Sequence, residues 1–184
     1  MKRIIIAALL MALLASVCFA HTDTPEEFFD GIAPAAKAIL PGYGLWPSVF
    51  LAQCAQESGF GRSFLAVEAN NFFGRKCGYD PCVEIETNEV RSGITVRETH
   101  AFQKYGSVEE AIHDYARGYL RSWDSGVKVY KFMNASTPFT FIVSVAPTYA
   151  SDPKYAKAVI RLIGEYNLER FDQKEERSRS NDDY

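Results

Sequence analysis

Glu57 stands in the run Ala52-Gln53-Cys54-Ala55-Gln56-Glu57-Ser58-Gly59-Phe60-Gly61. The residues before it, from Pro47 to Gln56, read as a helix. Counting back at helical spacing puts Phe50, Gln53 and Cys54 on the same face as Glu57. A carboxyl on a mostly apolar stripe is costly to bury as an anion. Such a group holds its proton to higher pH, which suits a general acid. A lone glutamate near a helix end is more often a solvated surface residue, so the case rests on what surrounds it. Gln53, one helical turn earlier, is placed to bond that carboxyl or a hydroxyl of a bound ligand.

Other chemistries fit less well. Cys54 shares the helix with Glu57, but thiol catalysis needs a histidine beside the sulfur, and His21, His100 and His113 stand in no recognisable relation to it. Cys54 therefore reads as a small buried hydrophobe. The same scatter offers no short-spaced ligand set, so neither a metal nor a cofactor is expected. Cys77 and Cys82 flank Gly78-Tyr79-Asp80-Pro81, a turn-forming sequence, and a small disulfide loop between them is expected.

The elements that must position these groups occupy one domain. Lys2 and Arg3, the apolar stretch Ile4 to Val17 and the triplet Cys18-Phe19-Ala20 have the form of a secretory signal, too short for a comfortable membrane span. Cleavage after Ala20, export to a periplasm or the exterior, and no stable membrane anchor afterwards are the expectations. The 184 residues carry 20 Lys and Arg against 23 Asp and Glu, a net charge of −3. Removing Lys2 and Arg3 with the signal leaves 18 against 23, or −5, which argues against a nucleic-acid partner. Residues 21–171 are enough for one domain with a real core. Residues 172–184 are almost wholly polar with alternating charge and read as a disordered tail.

Within the domain, Thr24-Pro25-Glu26-Glu27 is a helix start, and that helix runs toward Leu40 with a disturbance expected at Pro34. The helix from Pro47 ends at Gly59 and Gly61, and a short one follows from Ser63 to Glu68. Val83 to Thr87 and Ile94 to Arg97 alternate in polarity about a turn near Ser92-Gly93, a β-hairpin. Ser107-Val108-Glu109-Glu110 reads as a capping box opening a helix with the apolar stripe Ala111, Ile112, Tyr115, Tyr119, Leu120. Two further helical stretches are expected, Phe139 to Val145 and Asp152 to Leu168. The fold class is mainly α, within α+β: a helical domain with one small β-hairpin lobe.

Three ordered segments resemble one family. Glu57-Ser58-Gly59-Phe60-Gly61 with Asn70-Asn71-Phe72-Phe73-Gly74-Arg75-Lys76, then Phe102-Gln103-Lys104-Tyr105-Gly106-Ser107, then Tyr149-Ala150-Ser151-Asp152-Pro153-Lys154-Tyr155-Ala156 are similar to the motifs of the glucosaminidase family, glycoside hydrolase family 73. The resemblance covers residues 25–168. It implies a lysozyme-like fold and cleavage of the glycan strand of peptidoglycan after N-acetylglucosamine. It also implies Glu57 as general acid and Tyr149 in the cleft beside it. The family's second carboxylate is matched best by Thr87-Asn88-Glu89, with Glu84, Glu86 and Glu98 as alternatives. Glycosidases place two carboxyls across the scissile bond, and sequence spacing does not give their separation. Asn71 either brackets the cleft or stitches the turn after Glu57, and Phe60 and Tyr105 are candidate sugar-stacking faces. Phe60 stands where the family usually has tryptophan, and the Cys77–Cys82 insert lies where many members run straight into the β-lobe.

The competing readings are a lytic transglycosylase or muramidase on the same fold, and a non-catalytic glycan-binding protein. Transglycosylases usually follow the Glu-Ser pair with a Gly-Leu-Met-Gln segment, which nothing here resembles. With no wall-binding repeat in the sequence, the expectation is an enzyme acting where the wall is thin or where a cell-envelope assembly recruits it.

Overall fold

The computed structural model describes residues 24–91, 94–120 and 135–172. The expected signal segment, most of the expected tail and the hairpin turn at 92–93 lie outside the described residues. Among those described, no helix is long and apolar enough to cross a membrane.

Among the described residues six helices form a body around a hydrophobic core, and a hairpin projects from one side. The first helix, α1 (Pro25–Ile39), begins as expected: Thr24 accepts from Glu27 N–H, and Glu27 reaches back to Thr24 N–H. It buries Phe28, Phe29, Ile32 and Ala36. The disturbance expected at Pro34 does not end the helix, because Pro34 lies on its exposed face. A 3₁₀ turn over Leu40–Tyr43 follows, closed by Gly44 in the left-handed conformation.

The central helix is α2 (Pro47–Ser58), with residues 47–55 buried on every side. A helix apolar all round belongs inside the core, and α1, α5 (Pro138–Tyr149) and α6 (Tyr155–Glu165) pack around it. After α2 the chain turns through Gly59, Phe60 and Gly61, all at positive φ. Ser58 pins this turn, donating from Oγ to the Cys54 carbonyl at 2.5 Å and accepting from Gly61 N–H at 2.8 Å. The short α3 (Phe64–Ala69) ends at Asn70, left-handed at φ 50°.

Strands β1 (Cys82–Arg91) and β2 (Ile94–Gln103) pair antiparallel from Cys82↔Gln103 to Arg91↔Ile94, longer than the alternation alone marks out. One face carries Val83, Ile85, Glu98, His100 and Phe102, all at least partly buried, and the exposed Val96, whereas Glu84, Glu86, Arg97 and Thr99 on the other face are exposed. Period-two alternation thus separates the lobe's inner and outer carboxylates.

Three of the remaining helix starts differ in detail from their expected form. At α4 (Val108–Leu120), Ser107 Oγ accepts from Glu110 N–H, but the Glu110 carboxylate caps Gly106 N–H rather than Ser107. Helix α5 is longer than expected and runs through Pro147, whose ring is exposed. Before α6, Asp152 forms an Asx turn, its Oδ1 accepting from Lys154 N–H at 2.8 Å, so the helix starts at Tyr155. A last 3₁₀ turn, Leu168–Phe171, leads to Asp172. Asp172, expected in the tail, is instead part of the fold: its Oδ1 accepts the Ser48 N–H in the first turn of α2 at 2.8 Å.

Candidate active site

Helix α2 carries Glu57 out of the core at its last turn. Phe50, Gln53 and Cys54 behind it are fully buried, but Glu57 itself is exposed. The burial expected for its carboxyl is therefore not met in this structure. The apolar stripe dives into the core, while the helix stops one residue later. What the structure supplies is a hydrogen bond: the Tyr155 hydroxyl donates to Glu57 Oε1 at 2.9 Å.

That bond is the end of a chain. Gln53 Nε2 donates to the Tyr155 oxygen at 3.1 Å, and Tyr115 of α4 donates to Gln53 Oε1 at 2.6 Å. Gln53, expected to bond the Glu57 carboxyl or a substrate hydroxyl, is held between two tyrosines inside the core and reaches Glu57 through Tyr155. Tyr149 packs its ring on that of Tyr155, centroids 5.2 Å apart. This brings Tyr149 to within one ring of the group that holds Glu57.

Beside this chain lies a pocket lined by Phe73, Arg75, Tyr105, Asp114, Tyr115 and Tyr149. Its aromatic walls suit the faces of a sugar. On one wall, Asp114, buried to 4 % exposure, accepts from Tyr105 O–H at 2.7 Å and pairs with Arg75 Nε at 2.8 Å. Burial, with the Asp114 carboxylate close by, pushes the Tyr105 phenol well above its ordinary pKa. Tyr105 is 5 % exposed, so it forms a wall and not an open stacking face.

Asn71 has a structural task. Its Nδ2 donates to the carbonyls of Arg75 and Gln103 at 2.9 and 2.8 Å, and its Oδ1 accepts from Arg75 N–H at 2.9 Å. These three bonds tie the turn after α3 to β2, rather than the turn after Glu57 to the next helix as expected. Phe60 likewise turns inward, with edge contacts to Phe28, Phe29 and Tyr166 at 6.1, 5.9 and 5.7 Å. Its expected use as a sugar platform does not match this packing.

Position 89 lies in β1 opposite Val96, and its side chain is outside the described residues. Glu98 lies 3.7 Å from His100 Nε2, and Val96, the register partner of position 89, is exposed. Glu84 and Glu86 lie on the outer face, and Glu86 pairs with Arg97 at 3.3 Å.

Cys77 and Cys82 form the expected disulfide. Gln103, 1 % exposed, clasps the loop they close: Oε1 accepts from Gly78 and Tyr79 N–H, and Nε2 donates to the carbonyls of Tyr79 and Pro81. Cys54 is buried and free, and burial with the nearby Glu57 charge pushes its thiol pKa well up. Among the described residues no cluster of three or more His, Cys, Asp or Glu could hold a metal ion.

Tyr155, Tyr115 and Asp114 were not among the expected site residues. Tyr115 and Asp114 sit on a helix whose period marks only its core stripe. Tyr155 follows Tyr149 by six residues across a helix break, where no periodicity relates the two.

A helical body with a β-hairpin lobe, and a carboxyl at the end of a buried central helix, define a lysozyme-like domain. Residues 33–168 match the glucosaminidase family, described as mannosyl-glycoprotein endo-beta-N-acetylglucosaminidase. The chain belongs to this family of glycoside hydrolases. It is 31% identical over 154 residues to the exo-glucosaminidase LytG of Bacillus subtilis, covering 82% of this chain and 55% of the relative. It is 31% identical over 166 residues to a probable N-acetylmuramidase of Lactococcus lactis, covering 83% of this chain and 36% of the relative. The catalytic domain of the autolysin Auto from Listeria monocytogenes superposes with a TM-score of 0.72 at 34% identity, over 83% of this chain and 90% of that one. The chain spans about half or less of the length of these two curated relatives.

Proposed function

We propose that the protein is an exported peptidoglycan hydrolase cleaving the glycan strand at N-acetylglucosaminyl bonds within the chain, with Glu57 as the general acid. The observation that carries the reading is the placement of Glu57: an exposed carboxyl at the end of a buried helix, held by Tyr155, whose ring packs on Tyr149 of the aromatic pocket. A glycan strand laid over Glu57 excludes water from the reacting groups. The acid protonates the leaving oxygen, and Tyr149 steadies the sugar at the same end of the cleft.

Glu89 is the second carboxylate in this reading, with Glu98 in reserve. The support is that Glu84 and Glu86 lie exposed on one face of the lobe, whereas Glu98 on the other face is partly buried. Export is supported by the signal-like residues 1–20 and by the Cys77–Cys82 disulfide, which suits an oxidising compartment. Recruitment by a cell-envelope assembly belongs to the same proposal.

A second reading, muramidase activity, draws on the name of the Lactococcus lactis relative. Zymography on purified peptidoglycan tests the enzyme itself: wild type clears the gel and Glu57→Gln does not. A wild type that leaves the gel intact would favour a glycan-binding protein on the same fold.

A further inference from the structure

We propose that Tyr115, Gln53 and Tyr155 form a one-way hydrogen-bond chain that fixes the acidic proton of Glu57 on Oε2, the oxygen away from Tyr155. The proposal rests on the reading of Glu57 as proton donor.

The direction follows from what each group can give and take. Gln53 is fully buried, so its carboxamide finds its partners inside the protein. Its Oε1 accepts from Tyr115 O–H at 2.6 Å, which leaves Nε2 to donate to the Tyr155 oxygen at 3.1 Å. The Tyr155 hydroxyl, already an acceptor, has a single proton to give, and Glu57 Oε1 takes it at 2.9 Å. An Oε1 occupied as acceptor leaves Oε2 to carry the acidic proton.

This orientation matters for the first chemical step. The proton on Oε2 passes to the glycosidic oxygen as the bond from that oxygen to the anomeric carbon breaks. The bonding electron pair stays with the oxygen, and Glu57 is left as an anion. Tyr155 keeps its own proton and continues to donate to Oε1, so the charge that develops on Glu57 meets a donor already in place. Water then adds its oxygen to the anomeric carbon and returns a proton to Glu57. Tyr155 and Gln53 act as positioning residues.

Rigid packing holds both ends of the chain. The Tyr115 ring stacks on Phe73 at 4.9 Å and meets Phe50 edge-on at 4.8 Å, while the Tyr155 ring lies against Tyr149. Tyr115 and Tyr149 also line the pocket, so an occupant of the pocket touches the packing that sets Glu57.

The test uses the protein with carbon-13 at the glutamate carboxyls, the Glu57 resonance being assigned by its loss in Glu57→Gln. Tyr155→Phe is expected to shift that resonance and to lower kcat on purified peptidoglycan about tenfold or more, with KM changed by about twofold at most. Gln53→Glu keeps the Tyr155 hydroxyl but offers it a competing acceptor. The same resonance shift and loss of kcat are expected there. Tyr155→Phe with an unshifted resonance and unchanged kcat overturns the proposal. So does a Gln53→Glu variant that folds and leaves both unchanged, since the chain then runs the other way. A wild type that releases no glycan fragments would remove the activity reading alone, and the resonance would still decide the direction of the chain.

Discussion

Asp172 and Ser48, 124 residues apart, meet at the start of the helix that carries Glu57: Asp172 Oδ1 accepts the Ser48 N–H at 2.8 Å. Asp172 therefore caps α2 at one terminus while Glu57 leaves it at the other. Truncation at 171 or Asp172→Ala strips the cap. Urea unfolding is expected to register a loss of about 1 kcal/mol.

The same carboxyl predicts a pH effect. Burial raises the Asp172 pKa from its ordinary 3.8, against the lowering effect of the Ser48 hydrogen bonds. The folded state thus holds this proton more tightly than the unfolded state does. Relative to Asp172→Asn, which keeps an acceptor for Ser48, wild-type stability should fall as pH rises from about 3.8 through the raised value, then level off. Unfolding midpoints of the two proteins across that range measure it. A difference that grows in favour of wild type with rising pH would show the hydrogen bond outweighing burial.

Asn71 is expected to matter for stability first and activity second. Asn71→Ala removes three hydrogen bonds and leaves the Gln103 carbonyl and the Arg75 backbone groups short of their partner. The expected loss is about 2–4 kcal/mol, read from urea unfolding, against about 0.5 kcal/mol for an ordinary surface change. A variant as stable as wild type that fails only to bind glycan would restore Asn71 to the cleft.

Cys54 should be silent to thiol reagents. In protein lacking residues 1–20, no labelling is expected in the folded state, and unfolding without reductant should expose Cys54 alone, because Cys77 and Cys82 are bonded. Rapid labelling of folded protein at Cys54 would contradict the burial.

How much of this was legible in the sequence depends on range. The Thr24 capping box, the Gly59 stop, the hairpin and the Cys77–Cys82 loop are written in neighbouring residues, and each is present. Glu57 was found by its local motif, but its exposure was not, since the spacing that puts it on an apolar face does not say where the helix leaves the core. The Tyr115–Gln53–Tyr155 chain joins three helices and has no local signature. Phe60 and Asn71 drew attention as polar or aromatic residues near a motif, yet the core claims both, which is the commoner fate of such side chains.

The β-lobe carboxylates separate by face. Replacing Glu84 or Glu86 with glutamine should leave turnover within about twofold, because both lie exposed on the outer face. Glu89→Gln should lower kcat by about 10²-fold or more, as expected for loss of a reacting carboxylate. If Glu98→Gln is the crippling change and Glu89→Gln is not, the second carboxylate is Glu98.

The central claim is tested most directly by the ends that the enzyme leaves. Purified peptidoglycan is digested with wild type and with Glu57→Gln, reduced with borohydride, and the soluble fragments are analysed by mass spectrometry. The expected result is fragments of several sugars ending in reduced N-acetylglucosamine from wild type, and none from Glu57→Gln. Reduced muramic ends, 1,6-anhydro ends, or undiminished release by Glu57→Gln would contradict it.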